Sequence, residues 1–396
     1  MVWPPCLRPL ALAALSPLVG AQALPPPQVT VFGVIDLSRE TVQTRSGRST
    51  GLSPSGNSSS SLGWRGSENL GAGLSVLIWL EGSVDPSNGS GASGSASHNQ
   101  ALDTPPGPFI LNRRTTLSLK DGSGELRLGR DDTPSWKNYG TLDPFNGNGV
   151  GAMLPGYTGD AAASTFSRAS NAVSYFLPAA ATGWYGQAMV ASGNQASQAT
   201  QNGVDTSRNG RYAGARLGFK LPYTDWVLAT GRTRYAALTQ TLGSNALAGG
   251  GTQGGAPVLA GTFIDRSLGV TQQFEGGTFT ALLSRQTLQD VGQPGQQQST
   301  RGWGVGLQLP SGRYHLLASL SAVRLDGAQA RKWALGAVYD LSQRSALYFS
   351  WARLRNTGGA SMAASSNSSS GLPAASGPGN VNGPSTGWDL GLRLSF

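Results

Sequence analysis

Thiols and charge are what this chain has least of. One of its 396 residues is a cysteine, Cys6, and only 12% are Asp, Glu, Lys or Arg, about half the share of an ordinary soluble domain. That is too little charge to cover the two or three soluble domains this length would otherwise suggest. Glycine is abundant at 57 residues but has no strict period, which excludes a collagen. Recurrent Val, Leu and Trp alternations exclude a disordered chain. Beyond the N-terminal segment no apolar run reaches the ~18 residues of a helical membrane span. That absence does not bear on a barrel, whose short, half-apolar strands escape such a search. The class that remains is a large sheet whose outer face does not meet water.

Metal and hydrolase chemistry also lack their residues. The two histidines, His98 and His315, stand apart, with no Cys, His or carboxylate spacing for a metal and no Ser–His or Asp–His pair. No catalytic residue, metal or cofactor is predicted. The basic residues are spread over the strands rather than clustered with aromatics, so nucleic acid is not an expected partner.

What is present begins with a targeting segment. Arg8, an apolar run from Leu10 to Val19 and the small-x-small sequence Ala21-Gln22-Ala23 read as a signal peptide over 1–23. The mature barrel domain then covers 24–396 and has no thiol, which suits an oxidising compartment without disulfides. Its formal charge is the +9 of the whole chain less Arg8, or +8.

The mature chain reads as strand after strand, with almost no helical periodicity. Sixteen strands are predicted: 28–40, 60–68, 72–82, 110–120, 124–130, 168–177, 183–191, 210–220, 225–236, 263–274, 278–289, 301–309, 312–324, 330–340, 345–356 and 387–396. Their connections alternate. The short ones are tight turn sequences, 69–71, 121–123, 275–277, 310–312 and 342–344; the long ones, 41–59, 83–109, 131–167, 192–209, 237–262 and 357–386, are polar and rich in Gly and Ser. An all-β, antiparallel transmembrane barrel with an even number of strands has this rhythm. Leu74, Val76, Ile78 and Leu80 alternate with Ser75, Leu77, Trp79 and Glu81, an apolar outside against a wet interior. Trp64, Trp184, Tyr185, Tyr223, Trp226, Trp333, Trp351 and Trp388 gather near strand ends, as in interfacial girdles. The chain stops on Phe396 in mid-alternation. The last strand is expected to close the barrel on the first, with Asp389 and Arg393 facing the lumen.

VTVFGVIDLS (29–38), LGWRGSENLGAGLSVLIWLEGS (62–83), NRRTTLSLKDGSGELRLGR (112–130), SRASNAVSYFLP (167–178), YDLSQRSALYFSWARL (339–354) and the terminal GLRLSF each resemble a segment of the Gram-negative general diffusion porins. The matches run through the mature chain in family order. The resemblance implies a passive, water-filled outer-membrane channel of sixteen strands, a homotrimer whose third loop, here 131–167, folds into the pore. It implies outer-membrane lipid and lipopolysaccharide around the wall, the barrel-assembly machinery as the route of insertion, Phe396 as the assembly signal, and small ions and solutes as cargo. The loop at 83–109 would latch onto a neighbouring subunit.

A porin's selectivity is a field set by charged side chains across a narrow slot. The basic candidates are Arg65, Arg113, Arg114, Arg127, Arg168 and Arg216. Alternation puts Arg113 outside with Leu117 and Leu119, whereas the family pattern puts it in the pore. An arginine at the lipid midplane costs roughly 2–4 kcal/mol, so at least one of Arg113 and Arg114 must turn inward, Arg113 being favoured. The family commonly has one more arginine where this chain has Ser61. The acidic candidates are Asp143, then Asp131, Asp132, Asp36 and Glu81. A mild preference for anions is expected. A channel selective for one class of anion, or a surface adhesin acting through its long loops, would be alternative readings.

Overall fold

In the computed structural model, the described residues are 28–91, 109–156, 158, 165–178, 180–193, 200–201, 204–205, 207–234, 261–290, 295, 297–365 and 380–396. The expected signal peptide, the middle of the expected latch (92–108) and the loop residues 235–260 and 366–379 lie outside them.

Sixteen antiparallel strands form one closed barrel. They are β1 (Gln28–Thr44), β2 (Ser61–Gly71), β3 (Leu74–Asp85), β4 (Arg114–Asp121), β5 (Gly124–Asp132), β6 (Arg168–Phe176), β7 (Gly183–Ala191), β8 (Tyr212–Lys220), β9 (Thr224–Arg234), β10 (Thr262–Phe274), β11 (Gly277–Gln289), β12 (Gln297–Ser311), β13 (Tyr314–Leu325), β14 (Ala328–Asp340), β15 (Ser345–Thr357) and β16 (Pro384–Ser395). Each predicted strand corresponds to one of these, with ends shifted by a few residues. One end of the barrel carries the short turns. The other carries the long connections, except that 326–327 joins β13 to β14 in two residues. The segment Gly47–Pro54 adds a hairpin arm to the upper half of β1.

The outer wall follows from the two-residue period. Leu268, Leu283, Leu320, Leu335, Leu390 and Leu392 stand on it, and all are exposed, as lipid-facing residues are in an isolated subunit. Aromatic pairs edge this wall, among them Trp184–Phe219 at 4.9 Å and Trp333–Trp351 at 4.5 Å. Tyr185 is a correction to the expected girdle. It sits one residue after the outward Trp184 and therefore faces the lumen, where its hydroxyl donates to Asp225 at 2.9 Å.

Closure rests on the C-terminus. β1 pairs with β2 through its first half and with β16 through its second, so neither is left as a free edge. Beyond β16, Phe396 exchanges two backbone hydrogen bonds with Gly33, both 3.0 Å. Gly33 has no side chain because a Cβ there would fall 2.5 Å from the Phe396 ring and 2.8 Å from the Ser61 carbonyl. Deleting Phe396 removes both the last rung and the ring over Gly33. The expected result is a lower yield of heat-modifiable barrel in the outer membrane on denaturing gels; an unchanged yield would deny Phe396 that role.

The buried core lies inside the barrel, between the wall and the segment 133–166. Thr133 caps helix α1 (Pro134–Leu142) by accepting from the Trp136 N–H at 3.2 Å, and Pro134 occupies the first turn, where its missing N–H costs nothing. Pro144 ends the helix, since proline disfavours helical backbone in the residue before it. The hydroxyl of Thr133 donates to the Phe166 carbonyl, tying the two ends of the segment together. Tyr139 and Leu142 pack with Phe166 against Val227, Phe263 and Leu282 of the wall. Gly269 is a seat for Leu142: a Cβ there would meet the leucine at 2.0 Å. Farther on, Phe145 and Val150 pack against Leu317, Val338 and Tyr348, and Leu154 against Val323 and Leu354.

Candidate constriction site

Polar anchors fix this inner segment at both ends of its path. At the helix, the Tyr139 hydroxyl donates to Asp265 of β10 at 2.6 Å, and Asn138 donates to Ser267 at 3.1 Å. Arg216 of β8 donates to the side-chain amide oxygen Oδ1 of Asn138 at 2.7 Å while lying 5.2 Å from the Tyr185 ring. Across the lumen, the Val150 N–H donates to Asp389 of β16 at 3.0 Å and the Leu154 N–H to Ser321 of β13 at 3.2 Å. The buried Lys332 of β14 donates to the Ala152 and Ala364 carbonyls at 2.6 and 2.7 Å. These contacts carry the segment from β8–β11 to β13, β14 and β16, so it is held against the inner wall.

The remaining wall faces α1 across a cavity of about 150 Å³ lined by Trp79, Glu81, Arg113, Arg114, Arg127, Asp131, Asp132, Lys137 and Arg168. Five of these nine are basic and three are carboxylates. Arg113 meets Glu81 at 2.5 Å. Arg127 pairs with Glu125 at 2.8 Å and also contacts Asp131. Arg168 Nε lies 3.0 Å from Asp132, a charge contact without the alignment of a hydrogen bond. Arg114 sits 3.8 Å from Asp131 and 4.4 Å from the Trp79 ring centre. Aromatic faces hold cations by their quadrupole: Phe176 lies 4.1 Å from the Arg127 guanidinium and 4.5 Å from Lys137 Nζ. Arg65 has Phe32 at 5.6 Å and Trp79 at 5.8 Å. Among the described residues, Arg65 and Lys137 form no ion pair.

Arg113 and Arg114 both face the lumen. Arg114 begins the strand on its inner face, paired with Glu81. Arg113 precedes the strand, where alternation has no hold, and its side chain reaches Glu81 as well. Ser61, where the resemblance implies one basic residue fewer than usual, is buried next to this site.

Two acidic candidates sit elsewhere. Asp143 is turned into its own loop, where its oxygens accept from the N–H groups of Phe145 at 2.9 Å, Gly147 at 3.2 Å and Met153 at 2.7 Å. Burial pushes its carboxyl above the usual range, opposed by those three donors. Asp36 accepts from the N–H groups of Gly56, Asn57 and Ser58 at 3.1, 3.1 and 2.7 Å and from the Tyr348 hydroxyl, which pins the first loop to the wall. Glu81, Asp131 and Asp132 are the carboxylates that line the cavity.

Lys137 was not visible from strand alternation, because it stands on the loop helix. Burial draws its ammonium below the usual lysine range, with Asp131 and Asp132 opposing the shift. A second cavity of about 230 Å³ lies along the far edge of the segment, lined in part by His315, Asp340 and Arg393. There His315 meets Asp340 at 2.8 Å and Arg393 lies 3.9 Å from it. The carboxylate is 25 residues away in sequence, which is why no local spacing around His315 announced it. Among the described residues no group of His, Cys, Asp and Glu could hold a metal.

The profile of the Gram-negative porin family matches residues 10–359. The chain is similar to outer membrane porin protein 32 of Delftia acidovorans, 29% identical over 88% of this chain and 89% of that one. It is similar in structure to an anion-selective porin from Comamonas acidovorans, with 26% identity, a TM-score of 0.75, and coverage of 94% of this chain and 100% of that one. OmpT of Vibrio cholerae shares the fold at 13% identity, with a TM-score of 0.64 over 96% of this chain and 100% of that one. With a closed barrel of sixteen strands and a family match over most of its length, the chain belongs to the Gram-negative porins and is a β-barrel of the outer membrane.

Proposed function

We propose that this porin is a water-filled channel for passive diffusion of small hydrophilic solutes, mildly selective for anions, and that the cavity beside α1 sets the selectivity. The observation that carries the reading is the uneven pairing of its charges: five basic side chains line the cavity against three carboxylates, and Arg65 and Lys137 stand outside the ion pairs. Arg113, Arg114, Arg127 and Arg168 form the basic wall, Arg65 extends it, and Arg216 positions α1. Glu81, Asp131 and Asp132 are the opposing charges that keep the preference mild; Asp143 and Asp36 brace loops. The anion-selective relative supports the sign.

The finer assignments belong to the same proposal. Residues 1–23 are a signal peptide, and the barrel-assembly machinery inserts 24–396 with Phe396 as its signal. Three copies associate through the outer walls of β1–β5, where Val29, Val31, Leu117, Leu119, Leu126 and Leu128 are exposed. No catalytic step is assigned. The adhesin alternative rests on loops largely outside the described residues.

The test is the zero-current potential of single channels across a KCl gradient. Charges screen over ~10 Å at 0.1 M salt but only about 3 Å at 1 M, so the anion preference should be clear in dilute salt and fade near ~1 M. Cation selectivity of the unaltered channel in dilute KCl would overturn the assignment.

A further inference from the structure

The outer wall carries a feature that conduction does not use. Arg266, Arg285, Arg301 and Arg324 lie on four consecutive strands, β10 to β13, and each stands directly opposite the next: Arg266 with Arg285, Arg285 with Arg301, and Arg301 with Arg324. All four are exposed. All face outward, since they share strand faces with the exposed Leu268, Leu283, Trp303 and Leu320. None of the four makes an ion pair or side-chain hydrogen bond among the described residues. Like charges directly opposite one another destabilise a sheet, so four in a row call for an anion that bridges them.

The height of the row identifies the anion. Arg266, Arg285 and Arg301 lie two residues beyond Leu268, Leu283 and Trp303 toward the long-loop end, roughly 7 Å along the strand. That is where an apolar belt gives way to lipid headgroups. At three strand spacings the row is about 15 Å long, enough to meet more than one phosphate. Exposed outward arginines continue it on both sides: Arg232 and Arg234 on β9, Arg331 on β14, Arg353 and Arg355 on β15. Arg331 again stands opposite Arg355. Over the same strands the carboxylates face inward: Asp225 toward Tyr185, Asp265 toward Tyr139 and Asp340 toward His315. Guanidinium groups bind phosphate oxygens in pairs of parallel hydrogen bonds.

We propose that this arginine ladder is a binding site for the phosphate-bearing headgroup of the outer-leaflet lipid, lipopolysaccharide. The site lies on β10–β13, away from the β1–β5 wall assigned to subunit contacts, so it stays open to lipid in a trimer. It rests on the outer-membrane location and not on the selectivity assigned to the lumen.

The test compares the unaltered protein with the quadruple variant Arg266→Gln, Arg285→Gln, Arg301→Gln, Arg324→Gln in mild detergent, using diphosphoryl lipid A as the probe. Binding is read by native mass spectrometry of retained lipid and by titration. Four interfacial charges are removed, so lipid A affinity should fall roughly a thousandfold. The corresponding quadruple Lys variant keeps the charge and should retain most of the binding. Monophosphoryl lipid A should bind the unaltered protein more weakly than the diphosphoryl form. Equal binding of lipid A to the unaltered protein and a heat-modifiable, folded Gln variant would overturn the proposal. So would displacement of lipid A by millimolar inorganic phosphate, which would make the ladder a site for free anions. A Gln variant that does not fold transfers the decision to the unaltered protein, where equal affinity for the two forms of lipid A would overturn it. In bilayers lacking lipid A, conductance and zero-current potential should be the same with and without the ladder. Failure of lipid binding therefore reads separately from failure of the anion-channel reading.

Discussion

Replacing Arg113 and Arg168 together by Glu should reverse the sign of the zero-current potential in a dilute KCl gradient. Each arginine now faces one carboxylate, Glu81 at 2.5 Å and Asp132 at 3.0 Å. The double substitution turns two compensated pairs into two pairs of like charge, moving the lining of the slot by four unit charges towards the negative. Two unit charges ~4 Å apart interact by about 4 kcal/mol at the effective dielectric of a protein surface. Water in the slot weakens this for a passing ion. About 1.4 kcal/mol is still tenfold in a permeability ratio, so a mild anion preference becomes a clear cation preference. The neutral pair Arg113→Gln and Arg168→Gln should move the potential in the same direction by about half as much. Heat-modifiability on gels separates a selectivity change from a misfolded barrel. A potential that keeps its sign in the folded Glu variant would mean that the field is set elsewhere, with Arg65 and Lys137 the first residues to examine.

The barrel itself was legible because membrane strands obey two strong rules together. Side chains alternate between lipid and water, and the short and long connections alternate between the two ends. The row Leu74, Val76, Ile78 and Leu80 reads as the outer face from the sequence alone, and Ile78 is exposed there. The same rule, applied strictly, would have placed Tyr185 in the lumen, since its neighbour Trp184 faces lipid. Residues off the strands were harder to read. Arg113 falls one residue before β4, so its direction depends on Glu81, which comes from another strand. Lys137 is carried by a helix whose start is signalled only by Thr133 and Pro134. Nothing in a one-dimensional pattern says that its ammonium will lie over Phe176. Asp143 shows the limit most plainly. A lone carboxylate in a long loop has the same letter whether it faces a passing ion or three backbone amides.

Asp143→Ala separates those two roles, because they predict opposite results. As a charge on the slot, Asp143 would oppose anions; its removal would raise anion preference and leave conductance nearly unchanged. As the brace seen in the structure, it satisfies the N–H groups of Phe145, Gly147 and Met153. Each buried donor left unpaired costs about 1–3 kcal/mol, so the loss is several kcal/mol, concentrated between Asp143 and Met153. The barrel strands make none of these three bonds and should keep their heat stability. The loop should relax away from the path fixed by Asp389, Lys332 and Ser321, carrying Pro144 and the end of α1 with it. Conductance should then rise, and anion preference should fall as Lys137 loses its fixed place opposite Arg114 and Arg168. Asp143→Asn keeps one carbonyl oxygen as an acceptor and should give an intermediate conductance. A folded Asp143→Ala channel with normal conductance and stronger anion preference would return Asp143 to the slot and remove it from the loop.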